Sequence, residues 1–317
     1  MSTSSPDILG DDWVQRTLTL LPDTGLPAPE ATLVHERGAG SRRRAVLYVH
    51  GFTDYFFQAD HARAWTEAGY DFYALDLRDY GRSIRPGRTP NFVTDLAVYD
   101  EEVGLALGEI RAAGAQEVVL LGHSTGGLIA SLYASDHPGA IDALVLNSPW
   151  FDLNSSWVNR VITTRVLDAV GPLLPRLRVS TLGEPYGRSL HTSTGGEWEY
   201  DLTWKPIEDV PVYAAWLRAV RRGHARVARG LDVQVPVLVC TSARSGHPAR
   251  PTAADLAGAD CVLDVRHIWQ RAPQLGVDVT VRRFEGGLHD LALSVAAVRA
   301  SYEHSVFAWL AERLPSS

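Results

Sequence analysis

The sequence predicts an α/β fold: a mostly parallel, eight-stranded sheet with helices on both faces and a mainly helical cap inserted between two of its strands. Three observations lead there. Short continuous apolar runs alternate with helical spacing through the first half of the chain, as expected of strands buried on both faces. The run Val118-Val119-Leu120-Leu121 passes into Gly122-His123-Ser124-Thr125-Gly126-Gly127 and then into a helix-like stretch, a strand–turn–helix unit. Beyond Trp150 the alternation stops, and it resumes only at Val235.

Taken in order, residues 18–21 and 31–35 read as a leading antiparallel hairpin, with proline and glycine between them. Residues 45–50 form a continuous apolar strand, 61–68 a helix and 72–77 the next strand. Residues 94–113 carry helical spacing through Leu96, Val103, Leu107 and Ile110. Strands over 118–121, 143–146, 235–240 and 277–284 complete the set, and a helix ends the chain. The divisions expected are a first core part over 1–150, a cap insertion over 151–232 and a second core part over 233–317. The insertion holds a helical piece over 158–170 and many aromatics, among them Trp157, Trp198, Trp204, Trp216, Tyr186 and Tyr200. Most of these rings should bind the cap to the core, and a few should line an interdomain pocket.

Composition narrows the functions. With 45% hydrophobic and 21% charged residues, the chain can bury a large core. A net charge of -7 argues against nucleic acid as a partner. Cys240 and Cys261 form no CxxC pair, so zinc is not indicated, and two reduced thiols are expected. No apolar run is long enough to span a bilayer, which speaks against integral membrane association. Residues 1–7 lack a basic and apolar leader, so a cytoplasmic location is expected.

The chemistry centres on Ser124. A G-x-S-x-G turn holds a serine hydroxyl on a sharp bend at the carboxyl end of a sheet, where bulky neighbours would clash. A serine is a poor nucleophile until a base takes its proton, and that base needs a carboxylate to orient it. Of the 11 histidines, His289 follows the last strand in Gly286-Gly287-Leu288-His289-Asp290, which puts it at the same sheet edge as Ser124. His50 and His123 occupy strand-end and elbow positions that suit supporting roles. Asp255, Asp260 and Asp264 compete for the acid after the strand over 235–240; Asp260 is favoured, and Asp264 stands next. An oxyanion needs donors. The N–H of Thr125 and the N–H of Phe52, in the turn after His50-Gly51, are the candidates. Tyr55, Phe56 and Trp150 are candidates for the substrate pocket, with packing ranked slightly ahead for the first two.

Together these segments resemble the α/β-hydrolase superfamily, in particular its serine aminopeptidase S33-like and monoacylglycerol-lipase-like group. His50-Gly51, the elbow at Ser124 and Gly287-Leu288-His289-Asp290 carry the resemblance, and so does Asp76-Leu77-Arg78-Asp79-Tyr80-Gly81-Arg82-Ser83, which looks like the family's D-x-R-G-x-G-x-S loop. The resemblance implies a triad of Ser124, Asp260 and His289, and its layout of a helix and a strand between acid and base supports Asp260 over Asp264. Three features depart from the pattern. Asp79 replaces a usual glycine, Thr125 stands where methionine is common, and the insertion over 242–259 is unusual.

The leading expectation is therefore a serine hydrolase acting on a small-molecule carboxylic ester with an apolar group, needing no metal or organic cofactor. An S33-type aminopeptidase or amidase would require acidic residues to hold a substrate amine, and Glu197, Glu199, Asp201, Glu208 and Asp209 are the candidates. A non-catalytic binding protein of the same fold is the third reading. Oligomeric state is not legible.

Overall fold

The computed structural model describes residues 5–23, 25–153 and 165–314. Among them, nine strands form one sheet: β1 (Ser5–Asp7), β2 (Gly10–Thr19), β3 (Glu30–Glu36), β4 (Arg44–Val49), β5 (Asp71–Asp76), β6 (Glu117–His123), β7 (Ala143–Asn147), β10 (Val237–Ser242) and β11 (Val279–Phe284). Their order is β1-β2-β3-β5-β4-β6-β7-β10-β11. From β5 to β11 every pairing is parallel; β1, β2 and β3 add an antiparallel edge. The sheet thus has one strand more than the eight expected. The predicted strand over 18–21 overlaps only the last two residues of β2, whose polar start Gly10-Asp11-Asp12 hides it from a search for apolar runs. β1 has only three residues, too few to show a period.

The strands most enclosed are those with continuous apolar sequence. Every residue of β5 and β7 is buried, as a sheet covered on both faces requires. Helices α1 (Ala59–Glu67), α2 (Tyr99–Ala112) and α3 (Thr125–Asp136) alternate with the strands of the first half. One core layer gathers Leu47, Leu120, Leu144 and Val239 with the inner faces of α2 and α3. The opposite layer packs Val46, Val119, Val145 and Leu238 against Trp65 and the terminal helix. The alternating strand positions, 46/47 and 119/120, feed the two faces in turn.

Between β7 and β10 lie residues 165–170, which are helical, the two-stranded pair β8 (Arg178–Thr181) and β9 (Pro211–Tyr213), α4 (Glu184–Leu190) and α5 (Ala214–Arg229). Trp157 and the first part of the helix predicted over 158–170 fall outside the described residues. Helix α5 packs by Trp216, Ala219, Val220 and Val227 into the main core, and a side chain at Gly223 would press on Leu128 and Leu132 of α3. After β10 come α6 (Ala253–Gly258), α7 (Val265–Arg271) and, after β11, α8 (Ala296–Arg313). No helix is long and apolar enough to cross a membrane, among the described residues.

Candidate active site

Ser124 sits between β6 and α3 at φ 53° and ψ -116°, a conformation that L-residues reach only under constraint. The constraint is close packing. A Cβ on Gly126 would stand 2.3 Å from the carbonyl oxygens of Val49 and His50, and one on Gly122 would stand 2.6 Å from the carbonyl oxygen of Gly126. The glycines are thus required by the approach of β4 and of α3, which is the physical content of the G-x-S-x-G pattern. The N–H of Ser124 donates to the Asn147 carbonyl at 3.0 Å, fixing the bend to β7.

His289 arrives on the loop after β11. Its Nε2 lies 3.0 Å from Ser124 Oγ and its Nδ1 lies 2.9 Å from Asp260 Oδ2. All three side chains are buried; Asp260 is 0% exposed and Ser124 9%. The other oxygen of Asp260 accepts the N–H groups of Val262 and Leu263, both at 2.8 Å, so the buried charge is fully hydrogen-bonded. The rival carboxylates are used otherwise. Asp264 is the N-cap of α7, accepting from Arg266 N at 3.0 Å. Asp255 closes a capping box with Thr252 on α6.

The two neighbouring histidines are supports. His50 accepts the Leu77 N–H at 3.1 Å through Nε2 and donates through Nδ1 to the Gly51 carbonyl at 2.8 Å. His123 Nδ1 donates to the Asn147 carbonyl at 3.1 Å. Burial lowers the basicity of both rings. Asp290, next to His289, accepts from Asn147 Nδ2 at 2.7 Å and Gln58 Nε2 at 3.1 Å. Burial alone would raise its carboxyl, but His123, His61 and the Asn147 amide outweigh burial and hold it below the usual range.

The segment just after the Phe52 turn is held by Asp76 and Arg82. Asp76 accepts from Phe56 N at 3.0 Å and pairs with Arg82 at 2.9 Å, while Arg82 also donates to the Phe56 carbonyl at 2.9 Å and binds Asp7 at 2.6 and 2.8 Å. Asp79, which replaces a glycine, does adopt a glycine-like φ of 64°. Aspartate tolerates that region better than most residues, and a bidentate pair with Arg88 at 2.6 and 2.8 Å secures it.

A cavity of about 240 Å³ opens on Ser124 and His289. Phe52 and Thr125 line it, as does Trp150. Its remaining wall is mainly apolar, with Trp216, Leu190, Ile207 and Val212 prominent. Tyr55 and Phe56 are not on that wall. Phe56 is turned into the sheet core against Trp13 and Phe72. Tyr55 packs with Phe57 and Trp204 and accepts the Asp201 N–H at 2.6 Å. Both leave the pocket because they follow the turn, where the chain already descends toward α1.

Sequence reasoning missed three contributors. Tyr186 of α4 stands edge-on to the His289 ring at 5.7 Å and accepts the Asp290 N–H at 3.0 Å. Lys205, the sole lysine of the chain, lines the cavity and pairs with buried Asp54 at 2.5 Å. The uniqueness of Lys205 was the one available signal. Cys261 also reaches the cavity as a free thiol, and burial pushes it up to about 11, far from a thiolate at neutral pH.

Comparison with known proteins fits this geometry. The chain resembles the monoacylglycerol lipase of Mycolicibacterium smegmatis, with 31% identity over 145 residues, 44% of this chain and 49% of that protein. It resembles the 1-acylglycerol-3-phosphate O-acyltransferase ABHD5 of Sus scrofa, with 38% identity over 79 residues, 25% of this chain and 22% of that protein. The chain therefore spans half or less of the length of these curated relatives. A monoglyceride lipase from Saccharomyces cerevisiae, solved with a substrate analogue, superposes with a TM-score of 0.66 at 17% identity, covering 94% of this chain and 97% of that one; at this identity the likeness is one of fold, the α/β-hydrolase fold. A family model described as serine aminopeptidase, S33, matches residues 40–294. The match takes in the elbow, the Asp76 loop, Asp260 and His289, and the protein belongs to the serine aminopeptidase S33 family.

Proposed function

We propose that the protein is a serine hydrolase that cleaves carboxylic esters through an acyl-enzyme on Ser124. The observation that carries this reading is the continuous relay from Ser124 Oγ to His289 Nε2, 3.0 Å, and from His289 Nδ1 to Asp260, 2.9 Å. In this reading His289 takes the serine proton as Oγ attacks the ester carbonyl. The N–H groups of Phe52 and Thr125 hold the oxygen on which charge develops. His289 returns the proton to the departing alcohol, then activates a water that cleaves the acyl-enzyme. Asp260 keeps the imidazole oriented and stabilises its cationic form. Residues 151–232 act as the cap, contributing Leu190, Ile207 and Val212 to an apolar acyl site within a cytoplasmic enzyme.

An ester is favoured over an aminoacyl amide by where the acidic residues go. Glu208 and Asp209 pair with Arg188 and Arg178 on the outer surface, and Glu197, Glu199 and Asp201 do not line the cavity. Asp54 does line it, but its charge is matched by Lys205. Labelling with a fluorophosphonate, followed by mass mapping, tests the mechanism. We expect modification at Ser124 alone and none in Ser124→Ala, which should lose at least ~10⁴-fold in kcat on chromogenic esters. An unlabelled wild-type Ser124, or full activity in the variant, ends this reading.

A further inference from the structure

We propose that Tyr186 is a positioning residue: it fixes the loop that carries His289, and through that loop it holds the imidazole against Ser124. The inference rests on the reading of His289 as the base. Two rings stand beside the His289 imidazole, His123 with centroids 4.9 Å apart and Tyr186 with centroids 5.7 Å apart. His123 ends β6 and comes with the elbow. Tyr186 comes from α4, in the segment between β7 and β10. Its ring lies at 84° to the imidazole, and its Oη accepts the Asp290 N–H at 3.0 Å. One side chain thus touches the ring of His289 and also holds the peptide that joins His289 to Asp290.

The loop needs such a hold. β11 ends at Phe284, and no strand or helix covers residues 285–290, so no ladder of main-chain bonds fixes His289. From the sheet side, Asn147 and Gln58 donate to the Asp290 carboxylate, and Asn147 Oδ1 accepts the Leu291 N–H at 3.2 Å. From the other side comes α4. Tyr186 and Leu190 are four residues apart and so share one face of this helix. Leu190 packs in one cluster with Leu288 and Leu293, which bracket His289. Tyr186 adds the hydrogen bond at the centre of that bracket.

Tyr186 exchanges no proton in this role. Burial pushes its phenol up, which makes it a poor proton donor at neutral pH. What it supplies is geometry, and proton transfer between Ser124 and His289 is steeply sensitive to geometry. Phenylalanine at this position would keep the ring beside the imidazole but leave the Asp290 N–H without its acceptor. The base would then sample orientations away from Ser124, which slows the chemical step and leaves substrate binding alone. Tyr186 also lines the cavity, so kcat and KM must be read separately.

The test places Tyr186→Phe in the wild type and in an Asp260→Asn background. The probe is p-nitrophenyl butyrate, read as kcat and KM, alongside thermal unfolding. In the wild type we expect Tyr186→Phe to lose about 5- to 20-fold in kcat with KM within about twofold. In Asp260→Asn the imidazole has already lost its orienting charge, so adding Tyr186→Phe should cost no more than about twofold further. A merely structural residue would not show that dependence on Asp260. Undiminished kcat in Tyr186→Phe overturns the proposal. So does a raised KM at unchanged kcat, which would make Tyr186 a substrate contact, and a lowered Tm at unchanged kcat, which would make it a structural strut. Full additivity with Asp260→Asn overturns it too. Fluorophosphonate labelling of the wild type separates the two levels. A labelled Ser124 with an indifferent Tyr186→Phe refutes the positioning role alone, whereas an unlabelled Ser124 removes the relay on which it depends.

Discussion

The two walls of the cavity are held by different forces. The wall formed by the ends of β4, β6, β7 and β10 is set by main-chain hydrogen bonds and by glycines that leave no room to move, as at Gly122 and Gly126. The facing wall, from β8 to β9, is largely exposed and hangs on a few side chains. Arg178–Asp209 and Arg188–Glu208 are exposed pairs, of the kind worth little individually. Its firmer tethers are Trp198 Nε1 donating to the Leu293 carbonyl at 3.1 Å, Asp201 N donating to Tyr55 Oη at 2.6 Å, and Lys205–Asp54. The wall that carries Ser124 and His289 is therefore specified by backbone geometry, and the facing wall is specified by replaceable contacts. Changes on the first should abolish turnover, and changes on the second should loosen or retune it.

The sharpest break of this contrast lies between two carboxylates four residues apart. Asp260→Asn should lower kcat by about 10³- to 10⁴-fold with the fold intact, since the imidazole loses its orienting charge. Asp264→Ala should leave kcat within about twofold and cost about 1 kcal/mol in urea unfolding, the value of a lost helix cap. A reversed ranking would move the acid. On the other wall, Lys205→Met should destabilise the protein by about 3 kcal/mol, because it strands the buried Asp54 carboxylate. Adding Asp54→Asn should recover most of that loss in the same unfolding measurement. Full additivity of the two changes would show that the pair is no tether.

A last effect is one of pH. His224 lies buried behind Trp150, and burial and then Arg221 push its imidazole down to about 3. The unfolded chain takes up this proton near 6.5, the native state only near 3, so the unfolded form binds more protons between these values. Stability should fall as pH drops through that window, by about 1.4 kcal/mol per unit for one such group. His224→Leu should flatten the acid limb of a Tm-against-pH curve; an unchanged slope would remove His224 as a contributor.

Much of the stationary wall was legible because its determinants are local. The strand–turn–helix at Ser124 announces itself through glycines that packing demands, and the loop position of His289 follows from the strand before it. Asp260 was harder. Three carboxylates share its loop, and only the structure separates the two that serve α6 and α7 from the one bonded to His289. The facing wall was scarcely legible. Tyr186, Lys205 and Leu190 reach the cavity through tertiary contacts that leave no periodic trace, and Tyr55 and Phe56 were named from nearness in sequence when their rings point into other layers. The short polar edge strand escaped for the same reason: its reason to exist is a neighbour, and its own residues carry no pattern.

That edge strand carries a hidden liability. Asp7 shares Arg82 with Asp76, and Arg82 holds the Phe56 carbonyl just beyond the turn that bears Phe52. Shortening the amino end past residue 7 would leave an enclosed guanidinium short of one counter-charge beside Phe56, four residues beyond Phe52. Trimming for expression or crystallisation should accordingly be felt in turnover, although the cut lies on the far margin of the sheet.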